Sequence, residues 1–237
     1  MTKLGGSTTI PCLVFLGALT LAAPSWAQTA PNIGEQIAKT YGLDGFGQID
    51  AIRFTFNAQL LGLNISRSWV WQAKTGQISY EGKDKGGKPV KVTYTQSRLA
   101  EEPANVRDEI DPAFVNDKYN LIFPLQFYWD GAPVRDEGMQ KLPLGTGSAR
   151  RVVVDYSPGD IWELYVGPDY RVVEFGFHRG GPKKPTTVNA TWEDHKKAGP
   201  LLIAMERRGT ADGQPLHIFF SDVAVKLTGS DAWANAQ

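Results

Sequence analysis

Cysteine is nearly missing from this chain of 237 residues, and the only one is Cys12. One cysteine supports neither an internal disulfide nor a thiolate metal cluster. An excess of charge is missing too: 25 Lys and Arg stand against 25 Asp and Glu. Without such an excess there is no long-range field to gather nucleic acid or an anionic membrane, so neither is an expected partner. Long apolar runs are absent except for Leu13 to Ala23, about 11 residues where a membrane span needs roughly 20. Histidine is scarce, and His178, His195 and His217 lie too far apart in sequence for a local zinc motif.

The apolar run has a different use. Lys3 precedes it, and Ser25-Trp26-Ala27 places small residues at the −3 and −1 positions of a cleavage site, the pattern of a secretory signal peptide. Residues 1-27 are read as that leader, with maturation at Gln28 and a periplasmic or secreted product. Cys12 sits inside the leader and away from the cleavage site, so the mature chain has no thiol and no lipid anchor. Residues 28-237 are then expected to form a single domain, held by its core alone.

What remains is rich in aromatic residues and in period-two patterns. Asn32, with Glu35 three positions on, predicts a helix whose Ile33, Ile37 and Tyr41 share a face and which leaves through Gly42. From Ile52 to Leu60 apolar and polar residues alternate, as in a strand with one face buried. Further strands are expected at Ser66–Trp71, Gln77–Glu81, Val90–Thr95, Ser148–Tyr156, Asp160–Val166, Tyr170–Phe177, Thr186–Trp192, Pro200–Arg207 and Leu216–Leu227. Asp111-Pro112 opens a second helix, with Phe114, Val115, Tyr119, Ile122 and Phe123 near helical spacing until Pro124 ends it. The fold class is therefore mainly β: a curved antiparallel sheet, an unclosed half-barrel, with short helices over its concave face.

Catalytic chemistry leaves little trace. Gly145-Thr146-Gly147-Ser148 lacks the G-x-S-x-G pattern of a nucleophile elbow and reads as a loop. Gly82 to Lys88 has neither the spacing nor the Ser/Thr of a phosphate loop and reads as a charged hairpin tip. Glu193-Asp194-His195 reads as a solvated turn. Glu163 and Glu174, on facing strands, are the natural pair for acid–base work, although each alternates with apolar neighbours as a residue on the wet face does. No catalytic residue, metal ligand or cofactor is assigned.

Aromatic placement carries more weight. Arg67, Trp69 and Trp71 share one face of the second strand, and Phe54 and Phe56 share the apolar face of the first. Such density either fills a core or lines a hollow for an apolar ligand. An arginine in register with two tryptophans needs a partner or water, and it suits a cavity mouth better than a plain core. The candidate ligand-binding residues are Phe54, Phe56, Arg67, Trp69 and Trp71.

Several segments together resemble a known group. They are Trp69-Val70-Trp71 with Thr75-Gly76, Phe114 to Leu125, the hairpin Trp162 to Val173, and the stretch from Thr191-Trp192-Glu193-Asp194-His195 to Phe220-Ser221-Asp222-Val223. They are similar to uncharacterised exported bacterial proteins related in fold to the LolA and LolB periplasmic lipoprotein carriers. The resemblance implies an unclosed half-barrel lidded by helices, whose hollow takes acyl chains. This chain departs from the carriers in having no Arg-Pro-x-x-Phe-x-Trp segment, so the resemblance implies the fold and not lipoprotein sorting itself. The leading expectation is a non-enzymatic periplasmic protein that binds a lipid, an acyl chain or another apolar small molecule. A hydrolase with dispersed catalytic residues and a structural envelope module with a filled core stand as alternatives.

Overall fold

A computed structural model describes residue 2 and residues 32–156, 159–180 and 187–237. Apart from Thr2, the leader expected at residues 1-27 lies outside the described residues. Pro31–Gln237 forms one compact unit.

Helix α1 (Ile33–Thr40) starts as its sequence dictates: the Asn32 side chain accepts from the Glu35 amide at 2.9 Å. Gly42 follows with φ +107°, a left-handed exit that glycine adopts without steric cost. Among the described residues thirteen strands then build one sheet. They are β1 (Ile49–Leu60), β2 (Leu63–Gln72), β3 (Gln77–Lys83), β4 (Pro89–Thr95), β5 (Val134–Lys141), β6 (Ser148–Tyr156), β7 (Asp160–Val166), β8 (Val172–His178), β9 (Val188–Thr191), β10 (Glu193–Ala198), β11 (Leu201–Ala211), β12 (Gln214–Leu227) and β13 (Trp233–Asn235). Their order is β4-β3-β2-β1-β12-β11-β9-β8-β7-β6-β5, with β10 added to β11 and β13 to β12. The pairings are antiparallel throughout, and β4 and β5 remain as separate edges, so the sheet is unclosed.

Three of these strands, β5, β10 and the short β13, have no counterpart in the expectation. β5 is written Val-Arg-Asp-Glu-Gly-Met-Gln-Lys, with almost no apolar alternation, because it is an edge strand held by charge. Arg150 pairs with its Asp136, Arg151 with its Glu137, and Arg135 with Asp155 of β6. β10 occupies the place expected for a solvated turn, and its His195 is half-buried.

Helix α2 (Asp111–Trp129) lies on the inner face of the sheet. Its Phe114 meets Trp69 of β2 at 5.3 Å between ring centroids, and its Phe123 stacks on Trp162 of β7 at 4.1 Å. Nine residues at helical rise advance roughly 14 Å, and the single non-helical Ile122 adds little to that, whereas six strand-to-strand steps from β2 to β7 span about 29 Å in a flat sheet. The sheet must therefore curl around α2.

The sequence suggests an end at Pro124, and α2 does break near it, two residues earlier at Ile122, but it then resumes. The chain turns through a non-helical Ile122 (φ −130°, ψ 27°) and continues to Trp129. Proline removes the donor that would bond the carbonyl four residues back, at Asn120. That carbonyl accepts instead from Arg207 Nη2 of β11 at 2.5 Å, so the break is satisfied from outside the helix.

Candidate functional site: a cavity between the sheet and its helix

Register places the inner-face residues in layers. Phe54 faces Trp69, Phe56 faces Arg67 and Phe220, Ala58 faces Ile65 and Ile218, and Leu60 faces Leu216. Toward the Trp69 end these layers are filled. Trp69 lies between Tyr80 (4.6 Å) and Phe114 (5.3 Å), and Trp71 packs on Phe114 at 6.1 Å. Toward the Leu60 end the layers open into a cavity of about 610 Å³.

Three walls bound this cavity. Phe56, Ala58 and Leu60 of β1, Ile65 and Arg67 of β2, and Leu216 and Ile218 of β12 form one. Trp162 of β7 with Phe175 and Phe177 of β8 form the second, Trp162 lying 5.4 Å and 4.7 Å from the two phenylalanines. Helix α2 supplies the third through Asn116, Tyr119, Asn120 and Phe123. Asp160, Arg179, Thr187 and Asp212 sit among the lining where hairpin turns meet it. The walls are largely aromatic and aliphatic, with polar groups supplied by α2, by Arg67 and by the hairpin turns, a composition that suits an apolar ligand with a polar end.

Of the five residues singled out by sequence, Phe56 and Arg67 line this cavity. Phe54, Trp69 and Trp71 are buried at the filled end. Phe54 and Trp69 also border a groove of about 430 Å³ shared with Arg53, Thr55, Ser68, Ser79, Glu81, Lys91 and Asp222, a polar and charged setting unlike the cavity.

The partner that Arg67 requires comes from α2. Its Nε and Nη2 donate to Asp117 at 2.7 and 2.5 Å, and Asp117 also accepts from Trp69 Nε1 at 2.9 Å and Asn116 Nδ2 at 3.0 Å. Burial pushes the Asp117 carboxyl up, opposed by those donors. The guanidinium lies 5.0 Å from the Phe56 ring centroid. Arg67 thus joins β2 to α2 where the filled layers give way to the hollow. Sequence reasoning did not single out Asp117, Trp162, Phe175 or Phe177. Their signal was present: Asp117 falls on the helix face of Phe114 and Leu121, and Phe175 and Phe177 alternate.

The acid–base candidates are engaged elsewhere. Leu164 and Phe175 face inward, so Glu163 and Glu174 lie on the opposite face of the sheet. Glu163 holds Arg151 and His178. Glu174 is not a wet-face residue: it is buried, and its Oε2 accepts from the Leu144 amide at 2.9 Å, tying down the loop before β6. His217 meets Glu206, and His195 meets Tyr41. Among the described residues no three His, Cys, Asp or Glu side chains gather as metal ligands, and no helix is long and apolar enough to cross a membrane.

No protein-family model matches the chain, and no curated protein matches it in sequence. Solved structures do resemble it. A putative outer membrane lipoprotein-sorting protein domain from Vibrio parahaemolyticus matches with TM-score 0.48 and 10% identity, over 84% of this chain and 92% of that one. A LolA superfamily protein from Nitrosomonas europaea matches with TM-score 0.47 and 9% identity, over 83% and 94%. A DUF1329 family protein from Desulfovibrio piger matches with TM-score 0.44 and 10% identity, over 84% and 94%.

Proposed function

We propose that this protein is a non-enzymatic binder of a single-chain amphiphile or similar apolar molecule in the bacterial envelope. The observation that carries this reading is the cavity of about 610 Å³ walled by Phe56, Ile65, Trp162, Phe175, Phe177 and Ile218. A hydrocarbon chain leaving water for such walls gains about 0.8 kcal/mol per buried methylene, enough to hold it without a charged anchor. Phe56 and Arg67 are the proposed ligand contacts among the residues singled out by sequence. Phe54, Trp69 and Trp71 form the packed layer behind them. The leader read at residues 1-27 supports a periplasmic or secreted address.

A filled structural module draws support from the tight packing around Trp69, and the two readings differ in one measurable respect. Titration of the mature protein with cis-parinaric acid, a fluorescent fatty acid, is expected to give saturable binding. Ala58→Trp and Leu216→Trp each push a large ring into the hollow from a different strand, and both are expected to weaken binding at least tenfold while the protein stays folded by circular dichroism. Absence of saturable binding, or equal affinity in both variants, overturns the binding reading in favour of the filled module.

A further inference from the structure

Arg207 is a fully buried cation. Among the described residues no carboxylate pairs with it, and its neighbour Glu206 is taken by Arg208 and His217. Its guanidinium lies 3.8 Å from the Trp192 ring centroid and 5.1 Å from that of Phe220. It donates from Nη1 to the Ala204 carbonyl at 2.9 Å and from Nη2 to the Asn120 carbonyl at 2.5 Å. Burying an arginine this way is costly, and burial pushes its pKa down to about 9. A fold that keeps such a group is using something only it supplies.

Asn120 identifies what that is. Its carbonyl is the one that Pro124 deprives of an intrahelical donor, and the helix leaves helical geometry at Ile122 between them. Tyr119, Asn120 and Phe123, on or beside this break, are three of the four α2 residues lining the cavity. A residue whose donors form a planar fork and whose charge spreads over aromatic faces can reach from a strand to that carbonyl where a leucine cannot.

We infer that Arg207 is a positioning residue for the cavity: it holds the proline-broken segment of α2 against the sheet through the Asn120 carbonyl and thereby sets the helix wall of the site. This inference rests on the cavity being the ligand site, although the Arg207–Asn120 link can be tested without ligand.

The test is a double-mutant cycle. Arg207→Met is expected to lower the unfolding midpoint and to speed amide exchange in residues 119–127. Pro124→Ala restores an amide able to bond Asn120, so it is expected to stabilise the Arg207→Met protein more than it stabilises the wild type, and to slow exchange there again. If Arg207 serves only to pack against Trp192, Pro124→Ala has the same effect in both backgrounds, and the inference falls. For the wall itself, Arg207→Met is expected to weaken cis-parinaric acid binding at least fivefold, and Arg207→Lys, which keeps one donor near Asn120, to recover most of it. Coupling in stability with unchanged affinity in Arg207→Met overturns the positioning role. Failure of the wild type to bind the fatty acid strikes instead at the proposed function, and the stability cycle still decides whether Arg207 holds the break.

Discussion

Arg67 and Asp117 show how one pair of side chains carries two elements. Removing the arginine leaves the carboxylate under α2 with only neutral donors, and breaking a buried pair from one side costs about 3–5 kcal/mol. Arg67→Met is therefore expected to lose about that much at neutral pH by urea unfolding. Arg67→Met with Asp117→Asn is expected to lose markedly less, because the amide oxygen still accepts from Trp69 and no buried charge is left alone. Equal losses in the two proteins would show that the charge of Asp117 is not the cause. His195 provides a pH dependence. Tyr41 Oη accepts from the Val172 amide at 3.0 Å and lies 3.0 Å from His195 Nε2, within hydrogen-bond reach of the ring. Burial, with Arg171 and Arg207 nearby, pushes the His195 pKa down to about 4, while in the unfolded chain it titrates near 6.5. The unfolded state thus binds the proton first as pH falls. The stability from this residue is complete above about pH 6.5 and lost progressively down to about pH 4. An NMR titration of the His195 ring is expected to place its midpoint near 4; a midpoint near 6.5, or a stability profile unchanged by His195→Gln over that window, refutes the assignment.

Among the elements, the β1–β2 hairpin carries a visible local cost. Its turn is Leu61-Gly62, with φ 54° and 78°. A two-residue turn with both angles positive favours Asn-Gly, and leucine there is strained by roughly 1–2 kcal/mol. Leu61 is 67% exposed, so its side chain contributes little packing in return. Leu61→Asn is expected to stabilise the protein by about 1 kcal/mol, seen as a higher urea midpoint with an unchanged slope; a loss of stability would mean that the leucine packs in solution. Elements also differ in how plainly their sequences announce them. α1 and β1 were legible because cap and alternation act within a few residues. β5, β10 and β13 were not, because an edge strand and short strands added beside β11 and β12 are held by charge and backbone pairing, which leave no apolar period. The break of α2 near Pro124 was legible but its continuation to Trp129 was not, for the same kind of reason: the group that rescues the broken turn is Arg207, on β11 and 87 residues from Asn120 in sequence.

For the whole molecule, the unclosed sheet and the helix across it are one problem in geometry. A long sheet with a single apolar face needs something to bury that face, and α2 reaches both Trp69 and Trp162 only because the sheet curls. Curling brings Trp162, Phe175 and Phe177 opposite Phe56, Ala58 and Ile65, and one helix fills only part of the space between them. The cavity is the remainder. The sequence by itself determined the mainly antiparallel architecture, the buried face of β1 and β2, the N-terminal cap of α1, and the need of Arg67 for a partner, since each follows from periodicity or from the cost of burying charge. Only the tertiary structure decided that this partner is Asp117, that Trp69 and Trp71 fill the core while Phe56 and Arg67 edge a hollow, and that a broken helix is held by an arginine from the sheet. Those outcomes depend on which strands the curl brings face to face, and no local pattern encodes a distance across a sheet.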